Sequence, residues 1–489
     1  MELKITRKGY HIKKEGLKKT EIYDIKKELT VRPITTDEYG INTPVKAFME
    51  ENDWLIIPRK YGIDKFGIPS DGIRSKKIDI NFLGKLRENQ IEPYKTTLDC
   101  LRNNKYKSGI LCASTGCGKT IIALKLTETI SLKTLVVCNK TQLLNQWRNE
   151  IEKFLPNTRI GLIQGKIIDV EHKDIVLSMV QSLSLKEYDD SVFKGIGMVI
   201  FDEIHHLGSL KFSQILFKLG GTKYILGLSA TPNRSDGMDT VFKYHIGDIF
   251  HTVRDERKGL PVKILTVKLR GEKYIEHKTN SFRGEIICFT KMLSDLVLYK
   301  ERNEVIINQI IDLMKEKRTI LVLSDRVNHL EILNEMLQER KVVFSFSLFV
   351  GKMKKAQLDE SMKSSVLLAT VQIFSEGISK EALDTLILTT PKKYVTENTD
   401  TKKKDGGSLE QITGRIFRKN HTERNPMIVD IFDDFSVFSS QGYSRGRFYR
   451  KEFMNAIYSQ IHINLDKKDK DIVISSKKEG VFFFNELLV

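Results

Sequence analysis

The sequence lacks any long hydrophobic run. Its longest apolar stretches, such as Thr134–Cys138 and Met198–Phe201, have the length of a strand, whereas a membrane-spanning helix needs about 20 apolar residues. The N-terminal segment MELKITRKGYHIKKEG contains no apolar core of the kind that secretory signals carry. The sequence therefore predicts a protein that neither crosses a membrane nor enters the secretory pathway.

Cysteine is also scarce. The chain has five cysteines, an odd number, and no C-x-x-C pair; they are Cys100, Cys112, Cys117, Cys138 and Cys288. This pattern argues against both a disulfide framework and a zinc site. It is typical of a protein in a reducing compartment, where such cysteines pack as small buried hydrophobic residues.

Positive charge, by contrast, is in excess. Of the 489 residues, 80 are Lys or Arg and 63 are Asp or Glu, so the net charge is +17. A surplus of this size favours a polyanionic partner, either nucleic acid or an anionic membrane surface, and composition does not distinguish the two. At roughly 100–200 residues per domain, the length predicts about three domains.

The N-terminal residues 1–80 differ in pattern from the rest of the chain. They are basic, with paired lysines, and they contain short alternating segments at 28–31 and 54–58 that predict strands. Turns are expected at 61–62 and 69–72, where glycine and proline occur. We expect a small accessory domain here.

Short apolar strands then alternate with helical periodicity in two stretches, residues 81–255 and 256–440, and residues 441–489 are expected to form a C-terminal extension. The expected strands are Gly109–Ala113, Thr134–Cys138, Ile175–Met179, Met198–Phe201 and Tyr224–Leu228 in the first stretch, and Thr319–Leu323, Val342–Phe346, Ser365–Ala369, Thr385–Leu388 and Met427–Asp430 in the second. Alternation of this kind predicts an α/β fold with parallel sheets.

A glycine-rich loop follows the strand expected at Gly109–Ala113. It reads STGCGKT and comprises Ser114, Thr115, Gly116, Cys117, Gly118, Lys119 and Thr120. The glycines let the backbone approach phosphate oxygens, and the N-terminus of the next helix supplies partial positive charge. Lys119 would reach the β- and γ-phosphates, and the Thr120 hydroxyl would ligate Mg²⁺. Ala113 replaces the first Gly of the usual pattern, and the loop predicts nucleotide phosphate binding without indicating the reaction.

A second acidic site follows the strand expected at Met198–Phe201. Asp202 and Glu203 come where that strand ends, which is where α/β sheets bind ligands. Asp202 suits contact with Mg²⁺, and Glu203 suits polarising the water that attacks the γ-phosphate. His205 is expected to hydrogen-bond across the nucleotide cleft, whereas His206 is expected to be structural.

These two motifs, followed by Ser229, Ala230 and Thr231, resemble those of the superfamily 2 helicases and translocases. Further motifs of that superfamily occur in the expected order over about residues 85–435. They are an adenine-reading element with Gln90, strand-contacting segments at Asn139–Trp147 and Val180–Leu183, a segment at Leu321–Asp325, a fifth motif with Ala369–Thr370 and Glu376–Gly377, and a Q-x-x-G-R-x-x-R motif with Gln411, Gly414, Arg415 and Arg418.

The resemblance implies two tandem RecA-like motor domains that act as a nucleic-acid-stimulated ATPase using ATP and Mg²⁺. It implies catalytic roles for Lys119, Asp202, Glu203, Gln411, Arg415 and Arg418, with the arginines supplied by the second domain. It also implies that His205, Ser229 and Thr231 couple ATP hydrolysis to movement. Ser379 stands where related translocases often have Asp, which leaves that position without an assigned role.

More narrowly, the chain resembles the poxvirus-type transcript-release DNA helicases of large cytoplasmic DNA viruses. This resemblance rests on three sequence segments: IKKELTV at residues 25–31, PRKYG at residues 58–62, and the DEIHH form of the acidic motif. It implies 3′-to-5′ translocation on DNA during viral transcription and termination, the transcription machinery as a partner, and a place in the cytoplasm, in viral factories and virions. An RNA-directed helicase and a non-catalytic nucleic-acid-binding protein are the alternatives.

A basic and aromatic segment, QGYSRGRFYRK, begins at Gln441. Its cations Arg445, Arg447 and Arg450 alternate with rings such as Phe448. Cations for phosphates and rings for base stacking fit a contact with single-stranded nucleic acid. An amphipathic segment that packs its rings on the second domain fits the same pattern, and the sequence leaves both interpretations open.

Overall fold

The computed structural model forms two compact units, which comprise residues 1–253 and 261–485. The structure describes residues 1–34, 43–69, 75–113, 117–230, 232–234, 236–253, 261–281, 284–351, 353, 355–375, 380, 382–392, 407–417, 424–467, 473–478 and 481–485.

The N-terminal residues of the first unit form a four-stranded antiparallel sheet in the order β1-β2-β6-β5, with two helices and a short additional ladder between β3 and β4. The elements are β1 Leu3–Thr6, β2 Gly9–Lys13, α1 Lys19–Glu28, β3 Thr30–Val31, β4 Val45–Lys46, β5 Met49–Glu51, β6 Trp54–Ile57 and α2 Arg59–Phe66. The strand expected at 54–58 is confirmed, and that at 28–31 is confirmed only for Thr30–Val31.

The turn expected at Tyr61–Gly62 is wrong, because both residues lie inside α2. Gly62 serves packing rather than chain reversal. A Cβ atom at this position would lie 2.3 Å from the ring of Tyr10, which is fully buried in β2. The missing side chain therefore lets α2 approach the sheet closely, and the Arg59 guanidinium at the start of this helix donates to the carbonyl oxygen of Thr222.

The rest of the first unit is built on a sheet whose described strands follow the order β10-β9-β11-β8-β12-β13-β7-β14. All pairings in this order are parallel except that of β9 with β10. The elements are α3 Glu88–Asn103, β7 Ser108–Ala113, α4 Lys119–Ile130, β8 Thr134–Cys138, α5 Thr141–Phe154, β9 Ile160–Gln164, β10 Ile167–Asp169, β11 Ile175–Met179, α6 Val180–Leu185, β12 Met198–Asp202, α7 Leu210–Leu219, β13 Tyr224–Ser229, α8 Asp239–Ile246 and β14 Ile249–Val253.

The central strands of this sheet are buried on both faces. Every residue of β8, β11 and β12 is buried, and the core divides into two hydrophobic clusters. Burial on both faces explains why these strands read as continuous apolar runs in the sequence. The five strands expected in this stretch are confirmed to within one residue.

The second unit contains a sheet in the order β19-β20-β18-β21-β22-β15-β23-β24-β25, with a separate hairpin of β16 and β17. The elements are β15 Lys263–Arg270, β16 Lys278–Ser281, β17 Gly284–Ile287, α9 Phe289–Leu296, α10 Lys300–Lys315, β18 Ile320–Ser324, α11 Val327–Glu339, β19 Phe346–Phe349, α12 Lys355–Ser361, β20 Val366–Thr370, α13 Val371–Ser375, β21 Thr385–Leu388, α14 Gly407–Thr413, β22 Met427–Asp433, α15 Ser436–Glu452, β23 Ile457–Asn464, β24 Val473–Lys478 and β25 Val481–Asn485.

Most of the expected strands are confirmed here too, and one is wrong. The strand expected at Val342–Phe346 begins only at Phe346, where it pairs with Val366. Val343 is fully exposed, so its apolar side chain does not mark a buried strand. The α/β fold class with parallel-sheet domains is confirmed.

The residues after 440 continue the second sheet. Helix α15 runs through the boundary expected at residue 440, and β23 pairs in parallel with β15 along its whole length. The antiparallel strands β24 and β25 then extend the sheet at this edge. No helix within the described residues is long and apolar enough to span a bilayer.

Candidate nucleotide-binding and hydrolysis site

Three neighbouring parallel strands bring the predicted motifs of the first unit to one edge of its sheet. Strand β7 leads into the glycine-rich loop, β12 ends at Asp202, and β13 ends at Ser229. In the register of the sheet Asp202 lies beside Leu228, and Ser229 lies beside Cys112. The carboxyl ends of these strands therefore meet at the place where α/β sheets bind ligands.

The described part of the glycine-rich loop ends in a left-handed residue. Gly118 has φ +81° and precedes α4, so that Lys119 and Thr120 occupy the first turn of that helix. A glycine is required there for its backbone angle and for space, because a Cβ atom would lie 2.1 Å from Nε2 of Gln90. Ser114, Thr115 and Gly116 lie outside the described residues.

Gln90 lies directly against this loop. Its Nε2 donates a hydrogen bond to the carbonyl oxygen of Cys117 at 3.1 Å, and its Oε1 accepts one from the backbone N–H of Arg87 at 2.9 Å. The side chain is almost completely buried. The residue expected to read adenine is thus in contact with the loop expected to bind phosphate.

Lys119 meets the acidic pair across this sheet edge. Its Nζ lies 3.4 Å from Oε1 of Glu203. Glu203 itself adopts the left-handed conformation with φ +50°, which is uncommon for a residue with a side chain and occurs often at functional sites. This conformation ends β12 sharply and precedes a 3-10 helix at Ile204–Gly208.

The two carboxylates differ in their affinity for a proton. Burial, with the neighbouring charge of Glu203, raises the pKa of Asp202 to about 6. Burial also acts to raise the pKa of Glu203, but Lys119, His205 and His206 together outweigh it and hold that pKa below its ordinary value. Glu203 is therefore the more acidic of the two and carries a negative charge at neutral pH.

His205 joins the acidic motif to the end of β13. Its Nδ1 lies 2.9 Å from Oγ of Ser229 and 3.4 Å from Oε2 of Glu203. Burial lowers the pKa of His205, so the ring is neutral at pH 7. His206 stacks against it at a centroid distance of 4.3 Å, and burial lowers its pKa to about 4. Thr231 lies outside the described residues.

Two further residues contact this site, and their contacts were not predictable from the sequence. Arg234 donates from Nη1 to the carbonyl oxygen of His205 at 2.7 Å while its guanidinium pairs with Asp236. Trp147 donates from Nε1 to Oδ2 of Asp202 at 2.8 Å. Trp147 ends the segment Asn139–Trp147 that was expected to contact a nucleic-acid strand, and its spacing with Leu144 and Ile151 on the apolar face of α5 predicts burial. Neither signal predicts its hydrogen bond to Asp202.

The chemistry of the described donors fits Mg²⁺. Oε2 of Glu203 is buried and accepts no hydrogen bond from the described residues, so an acceptor oxygen remains for water beside Asp202. Those residues contain no cluster of three or more His, Cys, Asp or Glu that could enclose a metal. Mg²⁺ typically binds through one or two carboxylates, water and substrate phosphates rather than through a protein cage. Asp202 and the Thr120 hydroxyl are the residues that would hold it.

The arginine motif lies in the second unit. Gln411 is part of α14, and Arg415 lies in the 3-10 helix Gly414–Phe417, where it is 2% exposed. Arg415 is therefore not part of a solvated basic surface. Arg418 and the fifth-motif residues Glu376, Gly377 and Ser379 lie outside the described residues.

Two residues of the basic segment in α15 do not have the predicted role in nucleic-acid contact. Arg445 is 1% exposed and pairs with Asp430, with 2.9 Å between Nε and Oδ1. Phe448 packs in the core beside Phe453. Their groups are unavailable to a nucleic acid, because the helix turns this face to the sheet. Arg447 and Arg450 are exposed and keep the expected role as a prediction.

Two family descriptions match the chain. Residues 83–234 match "Type III restriction enzyme, res subunit", and residues 301–420 match "Helicase conserved C-terminal domain". The first match contains the glycine-rich loop and the acidic pair, and the second contains Gln411 and the arginine motif.

Similar proteins occur in large DNA viruses. A protein of Acanthamoeba polyphaga mimivirus with the name "Putative ATP-dependent RNA helicase" is 31% identical over 96% of this chain and 89% of its own length. A protein of the same name from African swine fever virus is 27% identical over 69% of this chain and 68% of its own length. A "Putative helicase" of Invertebrate iridescent virus 6 is 26% identical over 76% of this chain and 83% of its own.

Solved structures share the fold. The structure of S. cerevisiae Dbp5 bound to RNA and ADP BeF3 has a TM-score of 0.52 at 13% identity and covers 78% of this chain and 91% of that one. A fragment of an HsdR subunit of a type I restriction enzyme from Vibrio vulnificus has a TM-score of 0.51 at 15% identity, over 88% of this chain and 78% of that one. At these identities the likeness concerns the fold alone.

Proposed function

Because the chain belongs to the superfamily 2 helicases, we propose that it is an ATP-driven motor that moves 3′-to-5′ on DNA during viral transcription. One observation supports the proposed ATPase activity above all. Nζ of Lys119 lies 3.4 Å from Oε1 of Glu203, next to the buried Asp202. Hydrolysis of a phosphoanhydride needs three groups: a cation that binds the phosphate oxygens, a carboxylate that binds the metal, and a carboxylate that positions the attacking water.

The reaction is phosphoryl transfer to water, and the contribution of the protein is positioning and electrostatic stabilisation. Lys119 binds the β- and γ-phosphates, while Thr120 and Asp202 are the residues that would hold Mg²⁺. The metal, when bound, neutralises charge on the phosphate oxygens. Glu203 orients the attacking water and accepts its proton, which requires the ionised carboxylate that Glu203 has at neutral pH.

The remaining assignments rest on the motifs. Gln90 contacts adenine, and Gln411, Arg415 and Arg418 stabilise the charge that develops on the transferred phosphoryl group, an effect of roughly 10³–10⁵ in rate for such arginines. His205 and Ser229, which are in contact, couple hydrolysis to movement together with Thr231. Residues 81–255 act as the ATP-binding domain and residues 256–440 as the second motor domain.

The substrate is proposed to be DNA because the N-terminal sequence segments 25–31 and 58–62 resemble those of transcript-release DNA helicases. In this proposal the partners are DNA and the transcription machinery, and the place of action is the cytoplasmic viral factory. The second candidate is an RNA helicase, which is favoured by the names of the mimivirus and African swine fever virus relatives.

The test is the ATPase rate in the presence of single-stranded DNA, duplex DNA and RNA, each at several salt concentrations. We expect DNA to stimulate hydrolysis, with stimulation falling as salt rises because phosphate contacts release counterions. Stimulation by RNA alone would favour the second candidate. An enzyme that hydrolyses no ATP with any of the three would contradict both.

A further inference from the structure

Trp147 is the largest fully buried side chain of the described residues, and it belongs to a hydrophobic cluster of the first unit while also touching the acidic site through Asp202. It belongs to α5, where Leu144, Trp147 and Ile151 form the buried face. Any large apolar residue could fill this face. An indole, however, also carries an N–H group that needs an acceptor when it is buried.

That acceptor is the carboxylate of Asp202. Nε1 of Trp147 donates to Oδ2 at 2.8 Å, and the backbone N–H of Glu203 donates to Oδ1 at 3.1 Å. Each carboxylate oxygen thus has one fixed donor. Because an ionised carboxylate oxygen can accept at two positions, each oxygen keeps one position that no hydrogen bond from the described residues occupies, and a metal or a metal-bound water would fit there.

The two donors come from different parts of the fold. The Glu203 amide follows Asp202 in the chain and is set by the left-handed turn at the end of β12. The indole comes from 55 residues earlier in the sequence, on a helix that packs against this sheet. Rotation of the Asp202 carboxylate about its side-chain bonds would break at least one of these hydrogen bonds, so the pair fixes its orientation.

We propose that Trp147 is a positioning residue for Mg²⁺–nucleotide binding, which acts by orienting the carboxylate of Asp202. The inference rests on the proposed ATPase function and gives Trp147 a role at the metal, whereas the resemblance implied only strand contact for the segment Asn139–Trp147. Partners that orient metal ligands through a hydrogen bond typically account for about 10–100-fold in metal affinity. A packing residue would instead affect stability without affecting the metal.

The test compares Trp147→Phe, which keeps an aromatic ring but loses the N–H donor, with Trp54→Phe. Trp54 is the only other tryptophan of the chain, and it lies in β6 of the N-terminal sheet. Calorimetry would measure ADP affinity with and without Mg²⁺, and steady-state kinetics would give the Mg²⁺ concentration at half-maximal ATPase.

We expect Trp147→Phe to bind ADP alone as the wild type does, but to lose about tenfold or more of the gain in affinity that Mg²⁺ provides. Its half-saturating Mg²⁺ concentration should rise by a similar factor, and Trp54→Phe should behave as the wild type. A lower melting temperature with unchanged Mg²⁺ dependence would overturn the inference while leaving the ATPase assignment intact.

A second form of the test removes only the N–H group, in case the smaller phenylalanine disturbs folding. In the Trp54→Phe protein, Trp147 is the one remaining tryptophan, and biosynthetic incorporation of benzothienylalanine replaces its N–H by sulfur with little change in shape. The same loss of the Mg²⁺ effect supports the inference, and an unchanged Mg²⁺ effect overturns it. A wild type that neither binds nor hydrolyses nucleotide would overturn the proposed function first.

Discussion

Nζ of Lys119 lies 3.4 Å from Oε1 of Glu203, at a sheet edge where the lysine begins α4 and the glutamate follows β12. Eighty-four residues separate the two in the chain. Lys119 is thus held by the glutamate that, in the proposed mechanism, orients water, and nucleotide phosphates would compete for the same cation.

Lys119→Ala is expected to abolish ATP hydrolysis while sparing nucleic-acid binding, because it removes the cation for the β- and γ-phosphates and leaves the residues proposed to contact nucleic acid unchanged. The measurement is steady-state ATPase together with DNA binding by fluorescence anisotropy. Lys125→Ala is the matched control, since Lys125 lies on the same helix but pairs with Glu128. Normal turnover by Lys119→Ala would refute the phosphate-binding assignment.

Arg445→Ala is expected to lower the free energy of unfolding by about 3–5 kcal/mol, because it leaves the buried Asp430 carboxylate without its partner. Arg447→Ala, two residues along the same helix, removes an exposed side chain and should leave stability within about 0.5 kcal/mol of the wild type. Denaturant titration measures both. Equal stability of the two variants would contradict the structural role of Arg445.

Protein stability is expected to fall as the pH drops below about 6.5, and His245 contributes to this loss. Complete burial lowers the pKa of His245 to about 3. Between its folded and unfolded pKa values only the unfolded chain takes up the proton, so unfolding is favoured there by up to about 1.4 kcal/mol per pH unit.

The His245→Phe variant tests this, since the ring of His245 already packs edge-on against Phe217 at 4.7 Å. Melting temperatures at pH 7.5 and pH 5 should differ less for the variant than for the wild type. An identical pH dependence of the two proteins would mean that His245 does not couple protonation to unfolding.

Gly62→Ala is expected to destabilise the N-terminal sheet by about 1–3 kcal/mol, because the added methyl group would overlap the ring of Tyr10. Gly446→Ala provides the contrast. Gly446 also lies in a helix, but its added Cβ would only touch the end of the Arg450 side chain at 3.9 Å. That change should stabilise by about 0.5–1 kcal/mol, since alanine is the better helix former.

The sequence predicted the fold class and most strands because fully buried parallel strands have a strong apolar signal. It also placed Lys119, Asp202 and Glu203 in one site, since each follows a strand of the same sheet. Val343 shows where that signal is ambiguous, because an apolar residue next to a strand can be entirely exposed.

Contacts between distant segments were not predictable in this way. Neither the hydrogen bond of Trp147 to Asp202 nor the ion pair of Arg445 with Asp430 has a sequence pattern. Both depend on which face of a helix meets the sheet and on which polar atom lies opposite. The same holds for Gly62. In the local sequence this glycine indicates a turn, but in the structure it is required because a side chain would overlap the ring of Tyr10.

The most direct test of the account is the ATPase rate of Glu203→Gln in the presence of saturating DNA. This change keeps the size of the side chain and removes the carboxylate that is proposed to orient the attacking water. We predict that Glu203→Gln binds Mg²⁺–ATP and DNA as the wild type does but hydrolyses ATP at least about 100-fold more slowly. Hydrolysis at the wild-type rate would contradict it.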